Sequence, residues 1–76
     1  MRYHAEAIEE FKKIHKQLDN MLLTADARTN ASNIIRDLQH ELLVNDLDYW
    51  VVEKSIEHIF NRLKDNPREI IKAPKF

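Results

Sequence analysis

The side chains of this sequence that are best suited to metal binding or acid–base chemistry are four histidines, His4, His15, His40 and His58. Asp37 precedes His40 by three residues, which is the carboxylate–histidine spacing of helical metal sites. Such a site needs further carboxylates from facing helices, and neither Asp37 nor His40 belongs to the apolar face of its predicted helix. The sequence therefore predicts no metal ion and no other cofactor.

Groups for nucleophilic catalysis are scarce. The chain has no cysteine, so thiolate catalysis and disulfides are excluded. Catalysis by Ser32 or Ser55 would require a neighbouring base inside a pocket, and a helical domain of 76 residues rarely encloses one. We therefore expect a protein that is not an enzyme and that has no small-molecule substrate.

Histidine titrates between about pH 5 and 8, so acid sensing is the remaining chemistry to consider. His4 and His15 lie on or beside the apolar arc of the first predicted helix, whereas His40 and His58 point outward. Two interpretations stay open: His4 and His15 respond to acid, or they are ordinary residues at the edge of the core. Burial would lower their pKa, and acid would then destabilise the fold.

The elements that hold these residues are predicted to be helices throughout, because the chain has no glycine and only two prolines, both beyond residue 66. Helix 1 is predicted over 3–23. The polar stretch 24–32 is predicted to be a hinge, since its Thr, Asp, Asn and Ser side chains bond the backbone locally. Helix 2 follows, and its apolar face consists of Ala31, Ile34, Ile35, Leu38 and Leu42.

The second half of the chain predicts a third helix and a short fourth one. Asn45 is expected to cap helix 3, with Asp46 and Asp48 in the turn behind it. The run 66–69, Asn-Pro-Arg-Glu, predicts a capped helix near 67–72. The predicted fold is all-α: a small antiparallel three-helix domain over 1–65, then a short capped helix and basic tail over 66–76.

Helix 3 is apolar on two sides. Its main stripe is Tyr49, Val52, Ile56, Ile59, Phe60 and Leu63, yet Leu47, Trp50 and Val51 fall on the opposite side. A domain this small cannot bury a helix all round, and tryptophan is enriched at protein contacts. We therefore predict that Leu47, Trp50 and Val51 form an interface, most simply with a second copy in a homodimer. The alternative is that they pack under the neighbouring loop.

Charge is nearly balanced, with 12 Lys and Arg against 13 Asp and Glu. The tail has a local positive excess, and Arg68, Lys72 and Lys75 are candidate anion contacts. The charged N-terminus lacks the apolar region of a signal peptide, and no apolar run approaches about 18 residues. The expected location is the cytoplasm, without membrane insertion.

Three blocks resemble the small helical biofilm and acid-resistance regulators of the YmgB/AriR type, which are also described as two-component-system connector proteins. The blocks are "NMLLTAD" at 20–26, "NIIRDLQHELL" at 33–43 and "VVEKSIEHIF" at 51–60. The resemblance covers roughly residues 20–65. It implies a homodimeric all-helical regulator that binds an Rcs-type response regulator and so controls biofilm and acid-stress genes. It assigns no site residue.

Two other functions stay open. A DNA-associated, nucleoid-type regulator would need clustered cations, and the candidates are Arg62, Lys64, Arg68, Lys72 and Lys75. A small immunity or inhibitor protein that binds a toxin would also be a helical bundle. The leading expectation is a cytoplasmic adaptor that binds a transcription regulator.

Overall fold

A computed structural model describes the backbone of residues 2–73 and the side chains of residues 5–73. Within that range the chain forms three helices, α1 (Arg2–Asp19), α2 (Ala25–Val44) and α3 (Tyr49–Asp65), and no strand. Both α1 and α3 pack on α2, and they touch each other little. The prediction of an all-α helical bundle is confirmed. No helix in residues 2–73 is long and apolar enough to cross a bilayer.

The core forms around α2, because its apolar face is covered from two sides. That face buries Ala27, Ala31, Ile34, Ile35 and Leu38. The other helices contribute Ala7, Phe11 and Leu18 from α1 and Val52, Ile56, Ile59 and Leu63 from α3. The apolar stripes predicted for helices 2 and 3 are therefore confirmed in their central residues. Of the predicted stripe members, Leu42 and Phe60 are half-buried against this core, and Tyr49 is exposed.

The first corner is shorter than predicted, and the predicted hinge over 24–32 is wrong. α1 ends at Asp19, and α2 begins at Ala25 behind Thr24, whose Oγ1 accepts a hydrogen bond of 3.2 Å from the Ala27 amide. Thr24 thus caps a helix that contains the rest of the predicted hinge. The stretch holds three alanines and an arginine, which favour helix, and its polar side chains do not outweigh them. Leu22, which the prediction placed inside helix 1, lies in this corner and is 93% exposed.

Arg28 ties the two helices together. Its Nη1 donates to the carbonyl oxygen of Leu18 and its Nη2 to that of Met21, both at 2.7 Å. The Leu18 carbonyl oxygen also accepts from the Met21 amide at 3.1 Å, so the guanidinium adds a second donor at the end of α1 and a donor for the Met21 carbonyl in the corner that follows. The first turn of α2 therefore stabilises the end of α1 and the corner that follows it.

The second corner also differs from the prediction, because Asn45 ends α2 and does not begin α3. The amides of Asn45 and Leu47 both donate to the Glu41 carbonyl oxygen, at 3.0 and 3.2 Å. Asp46 between them has a φ of 52°, a left-handed conformation that Asp tolerates better than most residues. Asp48 precedes the first residue of α3.

No fourth helix forms within the described residues, so the helix predicted near 67–72 is wrong. The Arg68 amide donates to Asn66 Oδ1 at 3.2 Å and the Glu69 amide to the Asn66 carbonyl oxygen at 3.1 Å, which makes a turn. Thr24 donates its amide to the Pro67 carbonyl oxygen at 3.2 Å. A helix of one or two turns is marginal in water, and the predicted stop at Pro74 lies outside the described residues.

After this turn the chain runs without regular structure along the start of α2. Asn30 donates its Nδ2 to the Ile71 carbonyl oxygen at 2.9 Å. Ile71 is only 6% exposed and joins the core. The non-helical course thus gives the tail one buried side chain and a side-chain hydrogen bond to α2.

Replacement of Arg28 by Ala tests the link between the first two helices. We expect the free energy of unfolding to fall by about 1.5–3 kcal/mol, because two carbonyl oxygens lose a charged donor. Arg28→Lys should recover only part of the loss, since one ammonium does not span both acceptors as the guanidinium fork does. Urea unfolding followed by circular dichroism measures both changes.

The matched control is Arg36→Ala, which removes an exposed arginine from the same helix. Its effect should stay within about 0.5 kcal/mol. Equal losses for Arg28→Ala and Arg36→Ala would show that the two hydrogen bonds do not stabilise the fold.

Candidate interaction surface

Large apolar side chains are exposed where α2 ends and α3 begins. Val44, the last residue of α2, is 62% exposed, and Trp50, the second residue of α3, is 66% exposed. We call Val44 and Trp50 the corner surface. Single exposed apolar residues are common on proteins, but tryptophan is enriched at contact surfaces, so its exposure in a corner that also exposes Val44 makes this corner a candidate.

The predicted interface of Leu47, Trp50 and Val51 is only partly exposed. Leu47 is half-buried against the core, because the turn around Asp46 directs it inward, and Val51 is also half-buried. Trp50 alone of the three is exposed. Val44 was missed by the sequence argument, although the apolar run 42–44 extends beyond one helical face and could have indicated it.

A groove of about 320 Å³ lies between α1 and α3, the two helices that scarcely touch each other. Its floor is formed by Phe11, Ile14, Val52 and Ile56. Its edges carry Glu10 from α1 and Tyr49 and Glu53 from α3. We call it the α1–α3 groove. The sequence argument did not find it, because its two sides come from distant parts of the chain.

The charges around the α1–α3 groove are mainly negative. Burial raises the pKa of Tyr49, and so do the nearby carboxylates of Glu10, Glu53 and Glu6. Lys13 partly offsets this charge, since its Nζ lies 3.7 Å from Glu10 Oε1. Both side chains of that pair are exposed, so the contact contributes little.

The predicted anion contacts of the tail are exposed where the structure describes them. Arg68 and Lys72 are exposed, and Lys75 lies outside the described residues. Arg62 Nε is 2.8 Å from Glu69 Oε2, and this hydrogen bond raises the pKa of Arg62. The negative charge of Glu69 thereby offsets part of the positive charge of Arg62.

Of the two candidate pH-sensing residues, only His15 has a described side chain, because that of His4 lies outside the described set. His15 is half-buried, and Lys12, Lys16, Asp19 and Gln39 line the shallow surface around it. Burial lowers the pKa of His15, and the charge of Arg36 lowers it further, while Asp19 acts in the opposite direction.

The remaining histidines, His40 and His58, are exposed as predicted. Among the side chains that the structure describes, no three His, Asp or Glu residues come close enough together to hold a metal ion. The pair Asp37 and His40 therefore gains no third ligand from those residues.

Replacement of His15 by Gln tests its part in acid sensitivity. A lowered folded-state pKa means that the unfolded chain binds the proton more readily. The stability contributed by neutral His15 is then fully present above the unfolded pKa of 6.5 and is lost as pH falls from 6.5 towards the folded pKa. His15→Gln should flatten the fall in unfolding free energy between about pH 7 and 5, measured by urea titration.

His58→Gln is the control, because it removes an exposed histidine from α3. Its stability profile should follow that of the wild type. If His15→Gln and His58→Gln give the same profile, His15 has no role in acid sensitivity.

Comparisons of the chain with family models, with curated proteins and with solved structures found no match.

Proposed function

We propose that this chain is a cytoplasmic, non-enzymatic regulatory adaptor that forms a homodimer and binds a transcription regulator. The observation that carries the proposal is the 66% exposure of Trp50 at the α2–α3 corner, where Val44 is also exposed. A large rigid aromatic in water stabilises the protein little, whereas at an interface it supplies much of the binding energy. A second copy is the simplest occupant, since a two-fold contact buries the same surface twice.

The regulatory setting is supported by the resemblance of residues 20–65 to the YmgB/AriR-type regulators. In that setting the partner is the response regulator of an Rcs-type phosphorelay, and the output is control of biofilm and acid-stress genes. The helices α2 and α3 contain the second and third resembling blocks. The first block contains the first corner, including the Thr24 cap.

A DNA-associated function is the alternative that exposed Arg68 and Lys72 favour. Against it, Arg62 is paired with Glu69, and the chain has a net charge of −1. The salt dependence of binding distinguishes the two functions. A DNA complex with several phosphate contacts weakens steeply between low and moderate salt, whereas a protein contact that combines apolar anchors with one or two charge pairs weakens much less.

Affinity capture from the native cell tests the adaptor function directly. We expect the wild-type chain to retain a response regulator, identified by mass spectrometry, through washes of rising salt. Recovery of DNA alone, lost as salt rises, would support the DNA-associated function and contradict the adaptor. Recovery of a toxin as the sole specific partner would instead support the immunity function.

Light scattering tests the dimer. At micromolar concentration the wild type should have about twice the monomer mass of 9.1 kDa. Trp50→Asp should shift it to the monomer and leave helical circular dichroism intact, because Trp50 is outside the core. A wild type of 9.1 kDa would sink the dimer.

The matched control for this variant is Leu22→Asp. It introduces the same charge at a leucine that is 93% exposed, in the other corner of the bundle. It should remain dimeric. Dissociation of both variants would mean that added negative charge, and not loss of Trp50, separates the subunits.

A further inference from the structure

We propose that the α1–α3 groove is a docking site for a basic protein segment. One or two apolar side chains of that segment enter the groove, and its Lys or Arg side chains contact Glu10 and Glu53 at the edges. This inference rests on the proposed adaptor function, since it names the chemistry of the adaptor's partner. It uses a surface other than the corner surface that we assign to the dimer.

The shape of the groove fits a few side chains. Its volume of about 320 Å³ is at the lower end of the range for binding pockets, about 300–1,000 Å³. Phe11, Val52 and Ile56 on its floor are buried, and Ile14 is half-buried. These residues belong to the core, so the floor is rigid and apolar, and an apolar side chain can enter it without displacing the helices.

The charge of the groove selects a basic partner. Glu6, Glu10 and Glu53 all act on Tyr49, and all three are exposed. Within the described side chains, neither Glu6 nor Glu53 forms an ion pair, and Glu10 has only the distant contact with Lys13. Lys or Arg beside an apolar anchor would find carboxylates on both helices.

Tyr49 adds a second reason for a cationic partner. It stands at the edge of the groove on the first residue of α3 and is 45% exposed. The face of a tyrosine ring attracts the ammonium of Lys and the guanidinium of Arg, and its hydroxyl offers a hydrogen bond. The ring and the two flanking carboxylates therefore favour the same class of side chain.

A second copy of this chain is a poor occupant of the groove. Pairing two grooves across a two-fold axis would bring Glu10 and Glu53 towards their own copies, and like charges oppose that contact. Trp50 also lies elsewhere. At 100° per residue it lies about 160° around α3 from Val52 and about 120° from Ile56, and it is not among the residues that line the groove.

The test uses the full chain and two synthetic peptides of about 14 residues, each with leucines at helical spacing. One peptide places lysines beside the leucines, and the other places glutamates there. Titration calorimetry should show that the lysine peptide binds at least about 10-fold more tightly than the glutamate peptide. Backbone amide shifts in NMR should change at residues 10, 14, 49 and 53 and not at residues 68–72.

The double variant Glu10→Gln with Glu53→Gln should weaken binding of the lysine peptide by about 3- to 10-fold, since two partly exposed charge pairs are lost. The matched control is Glu9→Gln with Glu57→Gln. It removes two exposed glutamates from the same helices, outside the groove lining. The control should lose less than about 2-fold, because these glutamates lie outside the groove and their exposed ion pairs with Lys12 and Lys54 contribute little.

Several outcomes overturn the inference. They are no binding of the lysine peptide, equal binding of both peptides, or equal losses in the test and control double variants. A changed oligomeric state of the Glu10→Gln, Glu53→Gln variant would also overturn it, in favour of a second copy in the groove.

Trp50→Asp separates this inference from the proposed dimer. Peptide binding that survives in a monomeric Trp50→Asp variant supports a groove independent of the dimer. An intact dimer without peptide preference overturns the groove and leaves the adaptor proposal standing.

Discussion

Burial of the apolar face of α2 is the contact on which the other elements depend, because α1 and α3 pack on α2 and scarcely on each other. Ala27, Ala31, Ile35 and Leu38 on that face are all fully buried. A chain of 76 residues buries only about 60% of the surface that its unfolded form exposes, so few residues are left over for a second core. The α1–α3 groove follows directly from this arrangement. Two outer helices that share a central one leave a furrow between them, and the side chains at its edges determine what enters it.

The corners of the bundle are stabilised by polar groups and not by tight-turn glycines, which the chain lacks. Arg28 holds the end of α1 from the neighbouring helix, and Asp46 adopts the left-handed conformation that glycine often supplies. Each corner also leaves apolar residues exposed, Leu22 at one and Val44 with Trp50 at the other. Short corners therefore leave apolar side chains in water, and a partner surface that covers these side chains would stabilise the protein.

Periodicity predicted the helices and most core residues, because the spacing of apolar residues reports which face is buried. It failed at the ends of the helices. Thr24, Asp26 and Asn30 suggested a hinge, yet only Thr24 caps, and the alanines between them favour helix. Asparagine is a common N-cap residue, yet Asn45 is the C-cap of α2. The residue type alone does not show which of the two helix ends it belongs to. Leu47 faces the core because of the Asp46 turn, a backbone conformation that no helical wheel represents. The groove was beyond sequence reasoning, since Glu10 and Glu53 become neighbours only through tertiary packing.

The hydrogen bond from Asn30 to Ile71 joins residues 41 positions apart, whereas most contacts of a helical bundle are local. Closing so long a loop has an entropic cost, and the contacts that offset it can form only after α2 and α3 have packed together. The segment from Asn66 to Ile71 is thus expected to dock late in folding and to detach early in unfolding. Its contacts with α2 are therefore expected to be absent from the folding transition state. Stronger contacts between this segment and α2 would lower the unfolding rate and leave the folding rate almost unchanged.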